Sequence, residues 1–327
     1  MHYTFLCNFS HTKSMTQSRT ISSNYRFIKL LSRQPIQLGR FLARMVAGLV
    51  NTFQLSKLSK IISLNIQIAF PDMDQQQRQQ LTKQAIRNEL TSYFEFLSIW
   101  GASNQKNIQR IQKIHGEHYF HDALLEKKGL VLVIPHFGTW EVMNSWLSKY
   151  TQMTILYKPV KNPDADQFVR DARSREQAHL VPTDESGVRQ IFKALKQGGT
   201  TAILPDHTPD HGGDMVDYFG IPLASSSLSA KLIQKTKAKA LLIYTMRNDQ
   251  DGFDMYIEPI NPQIYEGPAE NGTRIIHQSL EQLIQRYPEH YHWSYKRFRA
   301  NPALKKIYDI DEAEALAQVA KVRQQAE

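Results

Sequence analysis

Leu130-Val131-Leu132-Val133-Ile134-Pro135-His136-Phe137-Gly138-Thr139-Trp140-Glu141 is an apolar run that ends in a histidine, with an acid five positions on. Five consecutive aliphatic residues suit a strand buried on both faces, and Pro135 ends its capacity to donate to a ladder. His136 is thereby delivered to the carboxyl end of that strand. Thr139 is a good N-cap, and the spacing of Trp140, Val142, Met143, Trp146 and Leu147 predicts an amphipathic helix with Glu141 in its first turn. Positions five apart on a continuous helix diverge, so His136 and Glu141 converge only if Gly138 and Thr139 break the backbone between them. A carboxylate near a helix N-terminus stays ionised and can hold one imidazole nitrogen, leaving the other to accept a proton. His136 is then a candidate general base and Glu141 its orienting acid. The alternative is that His136 satisfies a loop carbonyl while Glu141 only complements the helix dipole.

Downstream the chain alternates between strand and helix patterns. Strands are expected at 154–157, 200–204, 240–246 and 253–260, with helices at 164–177, 188–196, 228–237 and 274–287. This order predicts an α/β fold with a mostly parallel or mixed sheet flanked by helices. In such sheets ligands gather outside the carboxyl ends of the strands. His136, Asp206 and Arg247 each follow a strand at that edge, which would set a base, an acid and a guanidinium around one cleft.

Charge is distributed unevenly. Through Phe70 there are nine lysines and arginines and no acid, and the remainder carries 31 basic against 31 acidic residues. The whole formal excess of +9 therefore lies at the N-terminal end. There the basic residues punctuate apolar stretches such as Phe41-Leu42-Ala43 and 45–50, which reads as an amphipathic, membrane-associating helical segment. Each basic residue near an anionic lipid surface contributes about 1 kcal/mol. No uncharged apolar run reaches the roughly 18 to 20 residues of a bilayer span, so an interfacial or shallow anchor is preferred. Nucleic-acid binding, which would want a stacking platform or a recognised module, is not expected.

Four segments are expected: a disordered tail over 1–20, the membrane-associating helices over 21–110, a catalytic α/β domain over 111–303 and a charged, solvated C-terminal helix over 304–327. Residues 1–14 lack a secretory core, and Met15 is a candidate initiator. The only cysteine, Cys7, falls in that tail, so disulfide and thiolate chemistry are not expected to be central. No Gly-x-Ser-x-Gly elbow is present, which weakens a serine hydrolase reading. The Asp- and His-rich stretch 206–214 follows no established metal-site spacing and reads as a loop, so neither metal nor cofactor is expected.

The string His136-Phe137-Gly138-Thr139-Trp140-Glu141 resembles the His-x4-Asp/Glu signature of glycerolipid and lipid A acyltransferases. It is most similar to the late acyltransferases of lipid A synthesis, which carry His-Phe-Gly-Asn-Trp-Glu. Asn65 with Phe70-Pro71, Tyr157-Lys158-Pro159 with Arg173 and Arg175, Leu204-Pro205-Asp206, Phe219-Gly220-Ile221-Pro222 and a closing box, Pro288-Glu289-His290-Tyr291-His292-Trp293 with Lys296-Arg297-Phe298, match in the same order. The similarity covers about residues 20 to 303. Thr139 replaces the usual Asn, His207 stands in place of Gln, and His290 replaces Gln in the closing box.

The resemblance implies transfer of a lauroyl- or myristoyl-class chain from an acyl carrier protein thioester to a 3-hydroxyacyl chain of a Kdo-bearing lipid A precursor. The reaction would run at the cytoplasmic face of the inner membrane, without a covalent intermediate. His136, Glu141, Arg173 and Asp206 are the catalytic candidates, with Arg173 expected to stabilise an oxyanion or a substrate phosphate. Trp140, Arg175, Arg247, Trp293, Lys296 and Arg297 are the candidate substrate contacts. For Trp293, Lys296 and Arg297 a packed C-terminal cap is the competing reading. Two other reactions remain open: a thioesterase or lipid hydrolase using the same dyad, or acyl transfer to a glycerolipid acceptor.

Overall fold

The computed structural model describes residues 22–53, 57–209 and 212–326. The expected tail, with Cys7 and Met15, lies outside them. Helices α1 (Ser23–Ser32), α2 (Ile36–Phe53), α3 (Lys57–Ala69), α4 (Gln75–Gly101) and α5 (Asn104–Arg110) come first, then β1 (Ile111–His115), α6 (Glu117–Leu125) and β2 (Leu130–Val133). Next come α7 (Met143–Leu147), β3 (Thr154–Tyr157), α8 (Pro163–Arg175), β4 (His179–Pro182), α9 (Glu185–Lys196) and β5 (Thr200–Ile203). The chain closes with β6 (Asp214–Tyr218), β7 (Ile221–Ser225), α10 (Leu228–Thr236), β8 (Lys239–Arg247), β9 (Phe253–Pro259), α11 (Ala269–Arg286) and α12 (Glu312–Ala326).

The main sheet has the order β1-β9-β8-β2-β5. Strands β8, β2 and β5 run parallel, with Val133 beside both Leu242 and Ile203. Strand β9 is antiparallel to β8, and β1 is parallel to β9. The mixed sheet explains the sequence of β2. Val131 and Val133 point into one core with Leu242 and Tyr244, while Leu130, Leu132 and Ile134 point into the other with Leu241 and Ile243. Both faces are covered, so no polar alternation survives.

Helices α3 and α4 contribute Ile62, Ile66, Ile68, Leu81 and Ile86 to the same core as the sheet. Helices α1 and α2 pack against α4 and leave much of their apolar surface open. Nine of the fifteen large apolar side chains exposed among the described residues are on these two helices, including Phe27, Leu30, Phe41, Met45 and Leu49. Among the described residues, no helix is long and apolar enough to cross a membrane.

Several expectations are corrected. Thr139 makes no capping hydrogen bond, and it leads into one 3-10 turn (Trp140–Val142) before the five-residue α7. Its hydroxyl goes instead to a buried carboxylate on α4. The C-terminal helix α12 is not solvated all round: Ala315, Val319 and Val322 join the core and the Arg323 guanidinium donates to the Phe219 carbonyl at 3.0 Å. Strands β1 and β4 and the β6–β7 hairpin were not foreseen. The hairpin turns on Phe219 and Gly220, both with positive φ.

Candidate active site

The carboxyl ends of β2, β5 and β8 deliver His136, Asp206 and Arg247 to one edge, as parallel pairing requires. His136 is held there by Asp206. Its Nδ1 lies 2.9 Å from Asp206 Oδ1, and its backbone N–H donates to Oδ2 at 2.9 Å. Asp206 is fully buried. Burial alone would raise its pKa, but the charge and hydrogen bonds of His136 outweigh that and hold the carboxyl well below the usual carboxylate range. An ionised Asp206 fixes the proton on Nδ1 and leaves Nε2 free to accept another. The His136 side chain keeps about a fifth of its surface open to solvent.

Aromatic rings close around the imidazole. His207 stacks on it with centroids 3.8 Å apart and planes at 1°, and Tyr295 stacks on the far side of His207, also at 3.8 Å. Trp140 meets His136 edge-on at 5.1 Å. The Tyr295 hydroxyl accepts the Thr208 N–H at 3.0 Å, which pins the loop carrying His207. Burial, with the neighbouring His136 charge, pushes the His207 pKa down to about 4, so His207 is neutral at pH 7.

Gly138 supplies the turn that releases the chain from β2. Its φ is +55°, and a Cβ there would lie 1.9 Å from the Thr245 carbonyl oxygen. Its N–H donates to the His290 carbonyl at 2.8 Å, and its own carbonyl lies 3.1 Å from His292 Nε2. The His292 N–H donates to the His136 carbonyl at 3.0 Å. The closing box of the chain thus braces the histidine loop on both sides.

Glu141 does not hold His136, and the expected hydrogen bond between them is corrected. Its Oε1 accepts from Arg173 Nη2 at 2.8 Å, and its Oε2 accepts from the Trp100 indole at 2.8 Å and from Asn144 at 3.2 Å. Asp206 takes the place expected of Glu141 because β5 lies beside β2, whereas the 3-10 turn carries Glu141 into the layer beneath. Arg173 also pairs with Glu176 at 3.0 Å, so both its terminal nitrogens are committed to carboxylates. Burial works against its charge, but Glu141 and Glu176 more than offset it and raise its pKa. Burial lifts Glu176 to about 7 despite Arg173. The group expected to face an oxyanion is thus a buried brace of the loop.

Arg247 sits in a third cluster that sequence reasoning missed. Glu95 of α4 is fully buried between Arg40, at 2.6 Å, and Arg247, at 3.0 Å, and its Oε2 accepts from Thr139 Oγ1 at 2.6 Å. Glu89, earlier on the same helix, accepts the Ser294 N–H at 3.1 Å and the Tyr93 hydroxyl at 3.1 Å. Burial raises its pKa against those hydrogen bonds and the charge of His136. Glu89 and Glu95 are the only charged residues between Arg87 and Gly101, and that isolation was the available signal.

Among the described residues none of the remaining candidates pairs with His136. Arg175 donates to the Trp100 carbonyl. Trp293 is buried with its indole on the Pro288 carbonyl at 2.7 Å, and Arg297 is buried on the Ala224 carbonyl at 3.0 Å and on Ser225 Oγ. Lys296 is 3.7 Å from Asp309 and lies over the Tyr308 ring. Trp293 and Arg297 make the packed cap that was their competing reading.

A buried aspartate behind a partly exposed histidine at the carboxyl edge of the sheet is the arrangement that general-base chemistry uses. A family model for bacterial lipid A biosynthesis acyltransferases matches residues 6–300. The chain belongs to the bacterial lipid A biosynthesis acyltransferases. Among relatives of this acyltransferase, the lipid A biosynthesis lauroyltransferase of Escherichia coli K12 is 23% identical over 253 residues, 76% of this chain and 81% of that protein. A lipid A biosynthesis acyltransferase of Haemophilus influenzae Rd is 25% identical over 252 residues, 75% of this chain and 77% of its own. The lipid A biosynthesis palmitoleoyltransferase of E. coli K12 is 20% identical over 265 residues, 80% and 85% of the two chains. This acyltransferase therefore shares its family with enzymes named for different acyl chains.

Proposed function

We propose that this lipid A acyltransferase moves a lauroyl- or myristoyl-class chain from acyl carrier protein to the hydroxyl of a 3-hydroxyacyl chain on a Kdo-bearing lipid A precursor, with His136 and Asp206 as the working pair. The observation that carries the reading is the double hydrogen bond of Asp206 to the Nδ1 and the backbone N–H of His136. His136 Nε2 removes the acceptor proton as the alkoxide attacks the thioester carbonyl. The imidazolium, stabilised by ionised Asp206, then gives that proton to the departing thiolate. No covalent enzyme intermediate is needed. The Glu141–Arg173–Glu176 group acts through the loop, by holding Trp140 and Gly138 where His136 can work.

The membrane partner is argued from α1 and α2. Phe27, Leu30, Phe41, Met45 and Leu49 are exposed beside Arg26, Lys29, Arg33 and Arg44, an arrangement that suits insertion into an anionic lipid interface. An enzyme docked this way on the cytoplasmic face of the inner membrane meets a lipid acceptor in the bilayer and a soluble donor from the other side.

The test is mass spectrometry of lipid products after incubating detergent-solubilised enzyme with tetraacyl and pentaacyl precursors and several acyl carrier protein thioesters. The expected result is a gain of one or two acyl groups that is absent from His136→Ala. Free fatty acid in place of esterified chain would make the enzyme a hydrolase, and acylation of glycerol phosphate alone would make it a glycerolipid acyltransferase.

A further inference from the structure

Between α2, α4 and the turn joining β8 to β9 lies a cavity of about 480 Å³ whose lining side chains are all polar. Arg40 and Arg44, one helical turn apart on α2, face Arg87 and Asn88 of α4 across it, and Arg247 and His290 line its inner part. Arg40 is more than nine-tenths buried. Its Nε pairs with Glu95 and its Nη1 donates to the Asp251 carbonyl at 2.9 Å and to the Asp251 carboxylate at 3.3 Å, yet its Nη2 has no partner. Among the described residues Arg44 and Arg87 make no ion pair and no side-chain hydrogen bond, and both are exposed at the rim.

We infer that this cavity binds the phosphate-bearing saccharide headgroup of the lipid acceptor, a reading that rests on the acyl transfer to a phosphorylated glycolipid proposed above. Unpaired guanidinium groups present fixed forks of donors matched to phosphate oxygens. The rest of the lining fits a sugar. Gln84, Asn88, Asn248, Asp249 and Glu289 offer amide and carboxylate groups for hydroxyls, and no apolar side chain lines the cavity to receive an acyl chain. The acids would oppose a bare anion, so their mixture with arginines favours a phosphorylated sugar over inorganic phosphate alone.

Position supports the assignment. On its outer side the cavity opens against α2, whose Phe41, Leu42 and Met45 are exposed next to Arg40 and Arg44, where the acyl chains of a glycolipid would lie. On its inner side it touches the catalytic loop directly. The His290 carbonyl accepts the Gly138 N–H at 2.8 Å, and Arg247 Nη2 lies 3.3 Å from Thr139 Oγ1. A headgroup held here would be coupled through those contacts to the segment that carries His136.

The experiment compares full-length wild type, Arg44→Ala/Arg87→Ala and Arg189→Ala, a control that removes one exposed guanidinium from α9. Each is given a Kdo-bearing tetraacyl glucosamine disaccharide bisphosphate and the same lipid after phosphatase treatment. Acyl transfer is followed at saturating donor, and direct binding is measured by calorimetry in detergent without donor. The expected result is a rise in KM and Kd of about tenfold or more for the bisphosphate in the double variant, little change for the dephosphorylated lipid, and none in Arg189→Ala. An equal loss for both lipids, or no loss for either, overturns the assignment. Binding of the bisphosphate without acyl transfer by wild type would instead defeat the functional reading, and the calorimetry would still decide the cavity.

Discussion

His136 and Asp206 are 70 residues apart in the chain, yet the carboxylate accepts from both the ring Nδ1 and the backbone N–H of the histidine, each at 2.9 Å. The two residues follow adjacent parallel strands, so the sheet itself sets the orientation of the His136 ring. Glu141, five residues from His136, belongs to a separate buried ion group with Arg173 and Glu176.

That division gives Glu141 a structural signature. Glu141→Ala would leave Arg173 with one buried partner fewer and the Trp100 indole without its acceptor, and breaking a buried pair costs about 3–5 kcal/mol. Thermal melting in detergent should show a large fall in Tm, larger than for Asp206→Asn, which keeps the side chain's shape and one of its two hydrogen bonds to His136 while turning an amide N–H toward the other donor. Equal Tm for Glu141→Ala and wild type would remove the argument.

His207 stacks on His136 and stays neutral at pH 7. His207→Gln removes a flat imidazole that fixes the tilt of His136. The expected result is a lower kcat, by about tenfold, with little change in Tm. An unchanged kcat would make the stack mere packing.

Acid should destabilise the fold through four buried histidines. Burial holds His207 at about 4 and His277, His290 and His292 at about 3, against an ordinary 6.5. Folded values lie below unfolded ones, so the unfolded chain binds more protons and stability falls as pH drops below about 6.5. Each histidine contributes a slope of about 1.4 kcal/mol per pH unit between its two values. Denaturant titrations at pH 7.5 and 5.5 should show the loss, and His277→Gln should flatten it. A pH-independent midpoint over that range would contradict the burial.

Gly138→Ala should abolish folding or activity, because the added methyl meets the Thr245 carbonyl at 1.9 Å on a backbone of positive φ. A soluble, active Gly138→Ala enzyme would show that the turn is not as tight as its geometry requires.

Much of this was legible because parallel sheets leave strong local marks. The five-residue apolar run, its Pro135 stop and the similar runs before Asp206 and Arg247 located three strand ends correctly. Lateral order could not be read. Nothing local to Asp206 says that β5 lies beside β2, so the acid nearest in sequence was given the partner's part. Thr139 likewise reads as a helix cap, because Ser, Thr, Asp and Asn favour that position, but its hydroxyl is drawn away by Glu95. The β6–β7 hairpin escaped notice because Phe219 adopts a positive φ that its side chain does not advertise.

The central claim is that His136 and Asp206 act as one unit, and a double-mutant cycle on kcat for acyl transfer tests it most directly. His136→Ala and Asp206→Asn should each lower kcat by about 10² to 10⁴, and the double variant should be no slower than His136→Ala alone. Additive losses, or an Asp206→Asn enzyme that retains wild-type kcat, would contradict it.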